Sequence, residues 1–342
     1  METLGEKDLA LVNAVQIAPR APWAQLGEII DASPPALASR WERLRSRGLV
    51  WVTAQHTGRA THQVLSFSEL LCRPAQRPEI IERLMETPHV LSIDVFSHRQ
   101  ALALTLAAPS MARLVGDVLD PLLGLEGVTD LESMVSLGMH VTAQNWRLSH
   151  LDRRQADALR SIDRRQRSEE LRAGLGPEHG PVIALLQRDG RISASEVARV
   201  LGLSHATARR RLARVLSSEG FTLRCDMAQG ASGFPITVQW FGRLPAADHA
   251  AAAQRLAAQS SRLRLVASVT GPRNFLVAMW LPSVNDILAA EKALTAAVPG
   301  LEIGESAIMM RPYKRLGWEI RADSSASGRL VPPPSLVEDG GT

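Results

Sequence analysis

Cysteine is almost missing: Cys72 and Cys225 stand far apart with no CxxC partner, which excludes a disulfide framework and a cysteine-based zinc site. Histidines His56, His62, His89, His98, His140, His150, His179, His205 and His249 form no HExxH or other ligand spacing, so no metal is expected. No apolar run reaches the ~20 residues of a membrane span. The start, METLGEKDLALVNA, has no basic-then-apolar signal segment, and the expected location is the cytoplasm. A nucleophile elbow, a phosphate loop and paired carboxylates in matched contexts are also missing. The chain is therefore read as not an enzyme, with no cofactor. What is present is ordinary: 342 residues, 45% hydrophobic and 22% charged, long enough for two or more domains with buried cores. The net charge of +4, from 39 basic and 35 acidic residues, permits a nucleic-acid partner without arguing for one, because local clustering decides.

Internal repetition is the most informative feature. RAPWAQLGEIIDASPPALASRWERLRSRGLV, from Arg20, aligns with RISASEVARVLGLSHATARRRLARVLSSEGF, from Arg191. Leu26 falls on Val197, Ile29 on Val200, Ser33 on Ser204, Arg40 on Arg211 and Arg43 on Arg214; one extra residue brings Gly48 onto Gly220. Further on, Val95-Phe96-Ser97-His98-Arg99-Gln100 meets Val269-Thr270-Gly271-Pro272-Arg273-Asn274. Two copies make a pseudo-dimer, whereas a solenoid needs three or more units.

Each copy opens with three short helices. Apolar stripes lie at Leu9, Leu11, Val12, Val15, then Leu26, Ile29, Ile30, then Leu37, Trp41, Leu44. The second copy repeats them at Val182, Leu185, Leu186, then Val197, Val200, Leu201, then Ala208, Leu212, Val215. Ser33 and Ser204 are placed as N-caps of the third helices, Pro34 follows where a missing N–H costs nothing, and Gly48 and Gly220 are the stops. A tight link between second and third helices makes a helix-turn-helix, and Leu49–Val52 suits a wing strand. The rest of each copy predicts strand, helix, strand, strand, helix, strand: 62–71, 76–86, 90–96, 101–107, 110–123 and 128–137, then 236–243, 247–259, 263–270, 274–281, 284–297 and 301–310. That order is ferredoxin-like, and its open edges are those a second copy pairs. The fold class is α+β, with two winged helix-turn-helix domains and two ferredoxin-like βαββαβ domains as a tandem repeat. The expected divisions are 5–55 and 181–227 for the helix-turn-helix domains, 60–146 and 233–318 for the ferredoxin-like domains, 147–180 for a charged, solvated helical linker, and 321–342 for a disordered tail.

This layout resembles the Lrp/AsnC family of bacterial transcriptional regulators, in a tandem form with two units fused. The repeated helical stretches carry the resemblance, with VTGPRNFLVAMWL and PGLEIGESAIMMRPYKRLGW. It implies that the sheet domains form the core of a homo-oligomer and that a small-molecule effector, usually an amino acid, binds at their interfaces. The family's TG-x-x-D/N element is kept as Thr270, Gly271 and Asn274, the candidate effector-binding residues; the first copy has Ser97, His98, Arg99 and Gln100 and lacks the glycine.

The expected macromolecular partner is double-stranded DNA. Arg209, Arg210, Arg211 and Arg214 crowd the third helix of the second copy, and arginine's planar fork suits phosphate oxygens and the guanine edge. After the cap Ser204, His205 and Thr207 would meet base edges if the helix lies in the major groove. In the first copy Arg40, Arg43, Arg45 and Arg47 supply charge, but Pro34 to Ala38 offers almost nothing to a base. The second copy is therefore expected to specify sequence and the first to grip backbone. Two rival readings are an effector-sensing scaffold without DNA binding and an enzyme resembling sirohaem decarboxylases, which use this architecture to bind a tetrapyrrole. The latter needs histidine and arginine near the wing; His56, Arg59 and His62 follow the first wing, whereas the second copy has Thr222, Leu223, Arg224 and Cys225. The arginine-loaded helix has no purpose in that reading.

Overall fold

A computed structural model describes residues 4–56, 63–142, 146–168, 175–218 and 221–333. In chain order the elements are α1 (Glu6–Ile17), α2 (Trp23–Ile30), α3 (Pro34–Ser46), β1 (Val50–His56), β2 (Val64–Cys72), α4 (Arg77–Glu86), β3 (Val90–Phe96), β4 (Leu102–Ala108), α5 (Met111–Leu114), a π turn (Val115–Leu119), α6 (Asp120–Leu123) and β5 (Val128–Val141). There follow α7 (Arg153–Ser168), α8 (Gly180–Arg188), α9 (Ala194–Leu201), α10 (His205–Ser217), β6 (Phe221–Met227), β7 (Ile236–Arg243), α11 (His249–Gln259), β8 (Leu263–Val269), β9 (Phe275–Leu281), α12 (Ile287–Ala297), β10 (Glu302–Arg315), β11 (Trp318–Ile320) and β12 (Ala326–Leu330). The protein is mixed α+β. Its backbone divides into a helical unit, drawn from 2–62 and 147–228, and a sheet unit, drawn from 63–146 and 229–333.

In the helical unit each second helix ends on a left-handed residue, Asp31 (φ 51) after α2 and Gly202 (φ 63) after α9, which turns the chain into the third helix. The first turn is the tighter one: a Cβ on Gly27 would lie 2.3 Å from the Ala32 carbonyl oxygen. The apolar stripes close inward, with Leu37, Trp41 and Leu44 buried in one copy and Ala208, Leu212 and Val215 packed with Val182, Leu186 and Val197 in the other. Wing strands β1 and β6 pair antiparallel, from Val50 opposite Met227 to His56 opposite Phe221. A reciprocal contact accompanies them. Arg20 donates to the carbonyls of Gly190 and Ile192, and its sequence equivalent Arg191 donates to those of Pro19 and Ala21. Burial lowers both pKa values, that of Arg191 to about 10, and Arg191 also lies 4.0 Å over the Trp23 ring.

The segment expected to be a solvated linker departs from that reading. Helix α7 buries Ala156, Leu159 and Ile162, and Gln155 Nε2 donates to the Ile29 carbonyl. Asn13 and Gln16 of α1 accept from the amides of His150 and Leu148. Three apolar residues at helical spacing among many charges suffice to dock it on α1 and α2.

In the sheet unit, strands run in the order β10-β3-β4-β2-β5-β8-β9-β7, and β7 pairs back to β10, closing a barrel of eight strands among the described residues. Closure depends on the last strand of each copy crossing to the other. The far half of β5 pairs with β8 and the far half of β10 with β3, with bulges at matching steps, so that Met309, Arg311, Pro312 and Lys314 occupy the places of Ser136, Gly138, Met139 and Val141. These strands outrun their expected ends at 137 and 310 because the partner of each extension belongs to the other copy. Phe96, Ala103, Met134, Phe241, Ala267, Leu276 and Ala307 fill the inside. Separate apolar clusters lie under α4 to α6 (Ile80, Leu84, Ile93, Leu106, Leu114) and under α11 and α12 (Trp240, Leu256, Phe275, Leu294). The expected disordered tail is corrected in part: β12 pairs with β11, and Trp318, Ile320, Ala326 and Leu330 are buried; residues from 334 lie outside the described ones.

Asp94, half-buried as a residue, borders a cavity of about 30 Å³ inside the barrel, beside Glu69 and Gln239. Burial pushes its carboxyl up to about 6, against the pull of Arg315. A raised acid is favoured protonated in the fold, so its stabilising effect is complete below about pH 4 and is lost as pH rises through 6. Asp94→Asn should abolish that loss and gain about 2 kcal/mol over wild type at pH 7. Chemical denaturation at pH 4 and pH 7 checks this; an equal difference at both would contradict it.

Candidate functional site

Helix α10 starts at Ser204, whose Oγ accepts from the Thr207 amide (3.2 Å) and donates to Thr207 Oγ1 (2.9 Å). Ala208, Leu212 and Val215 hold one face in the core, and this leaves His205, Arg209 and Arg210 exposed and Arg211 and Arg214 half-buried. Among the described residues no hydrogen bond or ion pair engages the side chains of Arg209, Arg210 or Arg211, so three fixed positive charges face solvent.

Helix α3 is different. Asp8 of α1, with its side chain 12% exposed, takes Arg40 at 2.6 Å and Arg43 at 3.0 Å, and Arg45 pairs with Glu42 at 2.9 Å. Arg47, at the C-cap, also has a partner. Ser33 occupies the N-cap without a side-chain bond, since Pro34 and Pro35 remove N–H groups from the first turn. Aligning Leu11, Val12 and Val15 with Val182, Ile183 and Leu186 puts His179 where α1 has Asp8, so α10 lacks the acid that neutralises α3. That substitution was visible in the sequence, but the pairing across helices was not.

The effector-loop residues are bonded into the barrel. Thr270 Oγ1 accepts from the Val135 amide at 2.9 Å, and Ser97 Oγ accepts from the Ile308 amide at 3.0 Å. The amides of Phe96 and Val269 reach the carbonyls of Ala101 and Asn274. Ser97 is thus the equivalent of Thr270, one residue away from the sequence alignment, and His98 stands where the other loop has Gly271 (φ 98). Asn274 uses both amide atoms on the Leu244 backbone, accepting and donating at 3.0 Å. It positions the loop, and Asn274→Ala should cost about 1–2 kcal/mol in denaturant titrations; unchanged stability would leave it free for a ligand.

Sequence reasoning missed the group beside these loops. His98 Nε2 lies 2.7 Å from Glu305 and 3.3 Å from Glu69. Arg273 pairs with Glu305, with Glu132 at 3.0 Å and with Glu69 at 3.4 Å. Burial lowers the Arg273 pKa, but the three carboxylates prevail and hold it above its ordinary value. Glu69 is 5% exposed, and the enclosed His98 Nδ1 has no hydrogen-bond partner. Glu69, His98 and Glu305 are close enough to share a cation, but Arg273 already supplies counter-charge there. The available signal was a lone acid in the strand VLSFSELLC. His56 ends β1, while Arg59 and His62 lie outside the described residues.

Residues 4–45 and 182–215 match the family model of the AsnC-type helix-turn-helix domain. The chain carries two segments similar to this domain. The two AsnC-type segments fall on α1–α3 and α8–α10, in agreement with the Lrp/AsnC resemblance read from the sequence. No curated protein matches the chain. Among solved structures, the siroheme decarboxylase NirDL has a TM-score of 0.59 at 12% identity, covering 91% of this chain and 93% of its own. NirDL in complex with an iron-uroporphyrin III analogue scores the same at 13% identity over the same shares of both chains. AsnC of Escherichia coli has a TM-score of 0.36 at 15% identity, covering 40% of this chain and 94% of its own. The NirDL likeness shows a shared fold along nearly the whole chain. It overturns the expectation that the protein is not an enzyme, since a solved enzyme has this architecture. Among the described residues no helix is long and apolar enough to cross a membrane.

Proposed function

We propose that this AsnC-type protein is a sequence-specific, DNA-binding transcriptional regulator that responds to a small amino-acid-like effector. The observation that carries the reading is the trio Arg209, Arg210 and Arg211, without partners among the described residues, on a capped helix whose other face is anchored. In this mechanism Ser204, His205 and Thr207 bring the N-terminal turn of α10 to base edges, and the arginines, with Arg214, take phosphates and guanine edges. Arg40, Arg43, Arg45 and Arg47 of α3 add weak backbone contacts, because their charges are largely paired within the protein. Thr270, Gly271 and Asn274 shape the effector loop, beside the cluster of Glu69, Glu305, His98 and Arg273. Self-association through the sheet unit, in this tandem ferredoxin-like arrangement, would multiply recognition helices along the duplex. An effector acts only by binding two assembly states with different affinity.

The test is selection of genomic fragments by the full chain at low salt, followed by sequencing. A recurring motif whose affinity falls steeply with salt is expected; no retention of any duplex would overturn the proposal. The NirDL fold match favours a second reading, decarboxylation of a tetrapyrrole. Loss of carbon dioxide from sirohaem mixed with the protein, followed by absorbance, would establish that activity.

A further inference from the structure

We infer that the sheet unit holds a second ligand site, a cleft beside α4 that takes a small organic polyanion with a flat apolar body. The cleft measures about 960 Å³ and is bounded by α4, the end of β10 and the β11–β12 hairpin. This lies within the usual size of small-molecule sites. Arg77, Arg83, Arg311, Arg321 and Arg329 line it, against the acids Glu82, Glu86 and Glu319. Glu86 is paired with Arg329, Glu319 accepts from Ser327 at 2.9 Å, and five arginines against three acids give the wall an excess of positive charge. Ile81, Met85 and Tyr313 give it an apolar floor.

Arg311 is the residue that points to a ligand. Its guanidinium lies 4.5 Å over the Tyr313 ring, and its enclosed Nε has no hydrogen-bond partner. An enclosed donor without an acceptor is costly, and an oxyanion removes that cost. The other four arginines have other anchors, such as Arg77 on Gln100 and Arg321 on the carbonyls of Ala326 and Ser327.

The two copies differ here although their strands keep one register. Arg311 stands where β5 has Gly138, and Lys314, which holds the carbonyls of Met85 and Thr87 at the end of α4, stands where β5 has Val141. Among the described residues no hairpin like β11–β12 follows β5. Duplication alone would have produced two similar walls, but basic residues and an added hairpin gather at one. Arginine forks fit carboxylate and phosphate equally, and the Tyr313 floor suits a flat ring.

The test is calorimetric titration of the full chain with two aromatic probes, benzene hexacarboxylate and ADP. Saturable binding of one probe per chain is expected, the first indicating a carboxylate ligand and the second a phosphate ligand. Arg311→Gln should weaken the bound probe about tenfold or more. Arg83→Gln, on the exposed face of α4, should weaken it less and keep the wild-type melting temperature. DNA binding should be unchanged in both variants, which separates this site from the function proposed above. Failure of both probes to bind wild type, or binding that survives both substitutions undiminished, would overturn the inference.

Discussion

Replacing Arg209 and Arg210 together by alanine should lower affinity for duplex DNA about 100-fold at physiological salt, at about 1–3 kcal/mol per guanidinium. The salt slope should fall by about 2, because two phosphate-directed charges are lost. Arg40→Ala and Arg43→Ala should each change affinity less than about threefold, since Asp8 already pairs with both at 2.6 and 3.0 Å. The converse substitution is more telling. Asp8→Asn frees two guanidiniums on α3 and should strengthen binding to every sequence alike, with a steeper salt slope. Anisotropy titrations at several salt concentrations measure all of these. Equal losses from Arg43→Ala and from Arg209→Ala would show that the two recognition helices are used alike, against the division of labour argued here.

Arg273→Met should destabilise the sheet unit by about 3 kcal/mol at pH 7, because it leaves three carboxylates facing one another with one largely buried. Adding Glu69→Gln should recover part of the deficit at pH 7, because it removes the most buried of the acids. Denaturant unfolding of wild type, single and double variants at pH 7 forms the check. A deficit that Glu69→Gln leaves unchanged would assign Arg273 a packing role against Phe241, whose ring centroid lies 4.9 Å away.

The sequence was most legible where contacts are short in the chain. Ser204 as a cap, Gly48 as a stop (φ 69) and the stripe Ala208, Leu212 and Val215 all depend on neighbours within a helical turn or two. The strands of the two βαββαβ sets fell close to their expected places for the same reason, since alternation is local, whereas no strand was expected at β11 or β12. Reading failed where the partner lay in the other copy. β5 and β10 run past their expected ends only because β8 and β3 await them. Arg20 and Arg191 began the two aligned stretches, yet nothing local showed that each would hold the other copy's backbone. Composition misled at the charged linker and at the tail, since three buried residues sufficed to dock α7 and two hydrophobic pairs to fold β11 and β12.

By itself the sequence determined the repetition, the helix and strand periods, and the cluster of arginines on one short helix, because propensity, capping and side-chain period act between near neighbours. Tertiary structure alone decided which arginines remain available, since Asp8 reaches Arg40 and Arg43 only once α1 packs on α3. It alone brought His98 and Arg273 to the same two acids and raised a basic wall beside α4. Charge acts through space, and the spatial neighbour of a charged residue is set by packing rather than by its position along the chain.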